Sequence, residues 1–174
     1  MGEDMTNADP QDSEIEDIRL GYQAAIDLLV YEGELIWARF NAMLVANTII
    51  ITIIGFSISS SRPLSVILVG MPILGMVLCG MWFFLTKRGF DYYKYWVFSA
   101  RELEERLGSN FVRTVSRGAE FSSGRPVLFK LKGGDVSFQM SWAARRADVQ
   151  RISLLSLVMF FLIYVIYLIQ VALV

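Results

Sequence analysis

Two consecutive stretches decide the fold: Ala42–Ile58 (AMLVANTIIITIIGFSI) and Leu64–Leu85 (LSVILVGMPILGMVLCGMWFFL). A helix needs about 20 apolar residues to cross the hydrocarbon core of a bilayer. The first stretch is short alone and is extended by Leu35, Ile36, Trp37 and Phe40. Inside lipid every backbone group must be bonded within its own segment, so both are read as helices despite their many β-branched residues. Only Ser59-Ser60-Ser61-Arg62-Pro63 joins them. A link this short makes an antiparallel helical hairpin, and Pro63 suits the first turn of the second helix. A third apolar stretch, Ile152–Val174, is long enough to cross again.

The rest of the chain agrees. Of 174 residues 55% are apolar and 19% charged, with a mean hydropathy of +0.48, more apolar than an ordinary soluble domain. Charge lies between the apolar stretches. Thirteen of the 16 Lys and Arg fall between Lys87 and Arg151, and only Arg62 lies in the short link. Basic segments stay on the cytoplasmic side. Residues 86–151 are therefore expected in the cytoplasm, with the N-terminus inside and the C-terminus outside. This predicts an all-α membrane protein of three transmembrane helices (42–58, 64–85 and 152–174) in a bacterial inner membrane.

The first 34 residues hold ten acids and one base, Arg19. A secretory signal starts basic and turns directly apolar, so none is expected here. Residues 1–12 read as a disordered acidic tail. Ser13 with Glu16 forms a capping-box pattern. From there Ile15, Ile18, Tyr22, Ile26, Leu29, Gly33, Ile36 and Phe40 recur with helical spacing. Residues 13–41 are predicted to be an amphipathic cytoplasmic helix that continues into the first span, its seam packing on copies of itself or on the helix after the second span.

Within 86–151 a helix is expected over 90–116. Trp96, Ala100, Leu103, Leu107 and Phe111 lie on one face, and Arg101, Glu102, Glu104, Glu105 and Arg106 on the rest. Trp96, Arg101, Leu103 and Glu104 are its candidate packing residues. Tyr92, Tyr93, Tyr95, Trp96 and Phe98 read either as an interfacial aromatic belt or as a stacking surface for a ligand. Alternating residues around Gly133-Gly134 predict a small β-hairpin over 127–140. Ser141 is placed to cap a last helix that enters the third span.

Histidine is absent and Cys79 is the one cysteine. That excludes intrachain disulfides, Cys/His zinc sites and histidine-based triads. No phosphate-binding glycine loop and no metal-spaced acidic motif occurs. The chain is thus expected to be no enzyme and to hold no cofactor and no metal. Seven acids accompany the thirteen bases, leaving +6 on the basic segment. That charge fits anionic lipid at the cytoplasmic face better than nucleic acid.

The polar residues around the first span are the candidate functional set: Glu32, Glu34, Trp37, Arg39, Asn41 and Asn47, with Thr48 and Thr52 deeper. Arg39 has no acid three or four residues away. It either snorkels to headgroups or meets an acid or carbonyl of another helix. Asn47 lies about two turns deeper, where an unpaired amide is costly. It either bonds across helices or lines a polar cavity. The third span, with Phe160, Phe161, Tyr164 and Tyr167, reads as facing lipid or packing on the outside of the bundle.

The sequence from Glu34 through Trp37, Arg39 and Asn41 to Asn47, followed by the hairpin and by Trp96…Ala100-Arg101-Glu102-Leu103-Glu104, resembles small bacterial membrane proteins of the RipA-like kind. The likeness covers roughly residues 25–107. It implies a multi-subunit, octameric ring and supplies no catalytic residue. The plan of a membrane hairpin with a cytoplasmic helix is also similar to SLATT-type membrane effectors, which implies a pore former gated by its cytoplasmic domain in bacterial defence. A homo-oligomeric scaffold or channel-like assembly is the leading expectation, and such an effector is the alternative.

Overall fold

The computed structural model describes residues 10–59, 65–108 and 113–173. Among these residues five helices and one hairpin follow in order: α1 (Pro10–Ile58), α2 (Ser65–Arg106), α3 (Thr114–Ser122), β1 (Val127–Leu131), β2 (Gly134–Phe138), α4 (Trp142–Arg146) and α5 (Val149–Leu173). Among the described residues α1, α2 and α5 are long and apolar enough to cross a membrane. The chain folds as two compact units, Met1–Glu32 with Tyr92–Arg146, and Gly33–Asp91 with Ala147–Val174. Helices α1 and α2 supply residues to both.

In the second unit α1, α2 and α5 share one core. Met43, Ile50 and Ile54 of α1 meet Cys79 of α2 and Leu157 and Tyr164 of α5, with Phe40, Leu44, Trp82 and Phe160 packed around them. Small residues let the helices close up. A Cβ on Gly75 would overlap the Tyr164 ring. The third stretch is therefore no mere outer helix: Ser153, Leu157 and Tyr164 are buried. A tyrosine whose ring fills the space left by a glycine reads from sequence like one that faces lipid. Pro72 lies inside α2 and is fully buried without ending the helix.

In the first unit the upstream part of α1 packs on the downstream part of α2. Ala25 and Ala100 are buried, and the methyls of Leu103 come within 3.7 Å of where Gly21 would carry a Cβ. The seam Ile18, Tyr22, Ala25, Leu29 is thus covered by the same chain's helix after the second span. Strands β1 and β2 pair antiparallel, Val127 with Phe138 through Leu131 with Gly134. Phe121 of α3 stacks on Phe138 at 5.1 Å. An apolar hollow of about 390 Å³ remains there, lined by Phe121, Val127, Phe129 and Phe138 among others.

Three expected boundaries move. The first helix is already formed at Pro10, ahead of the expected start at Ser13. The second span and the following helix are one element, Ser65–Arg106. The helix expected over 90–116 stops at Arg106, because Gly108 takes φ +82 and closes the end as glycine readily does. A separate helix begins at Thr114. Phe111, the link residues Arg62 and Pro63, and nearly all of the acidic tail lie outside the described residues. Ser141 does cap a helix, accepting from the Ala144 amide at 3.3 Å, but that helix ends at Arg146. Asp148 accepts from the Gln150 amide at 3.2 Å and opens α5.

Candidate functional site

Two buried polar clusters stand out, one in each unit. In the second unit Asn47 is wholly buried. Its Nδ2 donates to the Met43 carbonyl one turn back, at 2.9 Å. Its Oδ1 accepts from the Tyr164 hydroxyl at 2.8 Å and from the Cys79 thiol at 3.6 Å. One amide thereby ties all three long helices together. Thr48 and Thr52 return their hydroxyls to carbonyls of α1, both at 2.7 Å. The Asn47 amide oxygen thus bonds across helices, to α5 and to α2.

Arg39 is half-buried, and no ion pair involves it among the described residues. Its backbone carbonyl accepts from the Trp82 indole at 3.0 Å. Its guanidinium lies against α2, where a Cβ on Gly89 would come within 3.1 Å of Nη1. Trp37 is exposed and meets Phe40 edge to face at 6.0 Å. Glu32 is half-buried, and Glu34 and Asn41 are exposed. These residues share a stretch of helix, yet the structure does not gather them round Asn47.

In the first unit the centre is Glu104, 3% exposed. Its Oε1 accepts from the Tyr22 hydroxyl at 2.9 Å and from the Val115 amide at 2.7 Å. Its Oε2 accepts from the Ser116 amide at 2.9 Å and the Ser116 hydroxyl at 2.7 Å. Helix α3 has no side-chain cap of its own, Arg113 standing at that position. Glu104 of α2 caps it instead, with a carboxylate at the positive end of the helix. Burial pushes the Glu104 carboxyl up, but the bonds from Ser116, Val115 and Tyr22 outweigh it and hold the group below its ordinary value. Burial, and then the bond and charge of Glu104, push the Tyr22 phenol up to about 12.

Further upstream on α2 Trp96 meets Tyr95 at 4.9 Å, and Leu103 packs by Gly21. The Arg101 guanidinium lies 5.5 Å over the Phe98 ring, and its buried Nε has no acceptor among the described residues. Tyr164, Cys79, Tyr22 and Ser116 are the partners sequence reasoning missed. The available signal was a phenol on an apolar seam, which needs an acceptor once buried. Among the described residues no group of three metal-binding side chains forms. The clusters hold helices in place.

Three long apolar helices knitted by buried polar groups define an integral membrane protein. The chain belongs to the octameric membrane protein family (8xMP), whose model matches residues 21–173. The expected likeness to small octameric membrane proteins is thereby borne out. No curated protein and no solved structure gives a significant match.

Proposed function

We propose that the chain is one subunit of a homo-oligomeric membrane scaffold, an octamer of the kind its family's name describes, that works by assembly and not by catalysis. The observation that carries this reading is Asn47. The deepest amide of the first span is spent inside its own subunit, on Tyr164 and Cys79, and is not left to line an aqueous path. The dispersed bases of residues 86–151 support a cytoplasmic place beside anionic lipid, in a bacterial inner membrane. A reporter fused after Val174 should then behave as periplasmic, and cytoplasmic activity there would reverse the topology.

Reconstituted vesicles test the scaffold reading. Vesicles loaded with a potassium-sensitive dye and carrying the assembled protein should leak no faster than empty ones. Steady leakage would make the assembly a channel. Leakage that starts only when a cytoplasmic factor is added would make it a gated effector.

A further inference from the structure

In the first unit α1 carries two apolar seams. Ile18, Tyr22, Ala25 and Leu29 are covered by α2, with Ala25 only 3% exposed. Leu20, Ala24, Leu28 and Tyr31 lie roughly 135° away round the helix and are open, Leu20 at 56% and Tyr31 at 57%. On α2 a second open stripe holds Tyr95 and Phe98, 59% and 63% exposed, roughly half a turn round from the buried Ala100. Charged neighbours, Asp17 and Asp27 on one helix and Lys94 and Glu102 on the other, put both stripes in water. Apolar stripes in water call for a cover.

We propose that the Leu20–Tyr31 stripe of one copy packs against the partner's Tyr95 and the partner's Phe98, with Asp27 pairing with the partner's Arg101. This rests on the oligomer reading above. A ring with one rotation axis joins each copy to the next through two different surfaces that fit head to tail, and the two stripes are two such surfaces.

Their levels agree. Within the chain α1 and α2 run antiparallel, with Gly21 beside Leu103 and Tyr22 bonded to Glu104. Counting on along both helices puts Leu28 level with Phe98 and Tyr31 level with Tyr95. Copies related by an axis normal to the membrane stand at one height, so the same levels meet between neighbours. Asp27 is then within about two residues' rise, roughly 3 Å, of the partner's Arg101.

Charge chooses the same pairing. Asp27 is exposed and in no ion pair among the described residues. Arg101 is half-buried and in no ion pair among the described residues, and the open edge of its guanidinium can take an arriving carboxylate. Packing α1 on the same stripe of another α1 would instead bring Asp17 and Asp27 against their own copies.

Crosslinking tests the pairing in the full-length protein. A Cys79→Ala chain carrying both Leu28→Cys and Phe98→Cys should give, on oxidation in mild detergent, a ladder of covalent multimers. Leu28→Cys alone should give none. No ladder from a protein that keeps its oligomeric mass, or dimers from Leu28→Cys alone, would overturn the proposal. A wild-type protein of single-copy mass would instead remove the oligomer reading itself. Charge reversal gives the second test. Asp27→Arg and Arg101→Asp should each shift the complex to smaller species, and together they should restore it. Full mass in both single variants, or no recovery in a double variant of normal helical content, would contradict the pair.

Discussion

The hydroxyl of Tyr164 donates to Oδ1 of Asn47 at 2.8 Å, joining residues 117 positions apart in the chain. Both side chains are fully buried. In hydrocarbon neither has water to fall back on, so each is the other's solvation. The bond fixes both the height and the rotation of α5 against α1.

Breaking that bond is expected to loosen the second unit without unfolding the chain. Intramembrane hydrogen bonds are commonly worth about 0.6–2 kcal/mol. Asn47→Leu and Tyr164→Phe should each lower thermal stability in detergent by about 1 kcal/mol. The double variant should lose less than the two single losses together, because one bond cannot be broken twice. Fully additive losses would mean that the bond contributes nothing.

Gly75 offers a steric counterpart. A methyl there meets the ring of the fully buried Tyr164. Overpacking usually costs about 1–3 kcal/mol, and Gly75→Ala should lie in that range. Gly80, with open space at its Cβ position, should accept alanine with no measurable loss. Thermal melts of the two variants side by side check the contrast.

Glu104 should matter to α3 more than to anything else. Hydrogen bonds to a charged group contribute about 1.5–3 kcal/mol each, and this carboxylate accepts four. In Glu104→Ala the amides of Val115 and Ser116 lose their acceptor. Their hydrogen exchange should accelerate at least tenfold while amides of α5 stay as protected as before. Unchanged exchange at Val115 and Ser116 would remove Glu104 as the cap.

The same pair sets two pH limits. The Glu104 carboxyl lies below its ordinary value when folded, so its contribution is present above the ordinary value and is lost as pH falls through the lowered one. The Tyr22 phenol, raised to about 12, works the other way. Its contribution is full below the ordinary tyrosine value of about 10 and fades as pH rises towards the raised value. Ultraviolet titration of the wild type against Tyr22→Phe should show one phenol ionising near 12. A Tyr22 that ionises near 10 would contradict the burial and the bond.

The spans were legible because a bilayer demands uninterrupted apolar length, and Ala42–Ile58 has hardly another use. The β-hairpin was legible from alternation about Gly133-Gly134. The break after Arg106 was not, since the apolar spacing of Leu103, Leu107 and Phe111 runs on as though the helix did, and only the backbone of Gly108 ends it. Asn47 was legible as an amide that needs a partner, whereas the partner was not. Tyr164 lies beyond five further described elements in sequence, and nothing local distinguishes it from Tyr167. Glu104 was legible as a packing residue of its helix but not as a cap, because its donors Val115 and Ser116 belong to a helix that the spacing had merged with its own.

Assembly is the central claim, and mass tests it most directly. The full-length protein, extracted in mild detergent or in a lipid nanodisc, should be weighed by native mass spectrometry, or by light scattering with the detergent subtracted. Eight copies of the 19.7 kDa chain in one closed species is the expected result. A single copy that stays single at every concentration and in every mild extraction would contradict it.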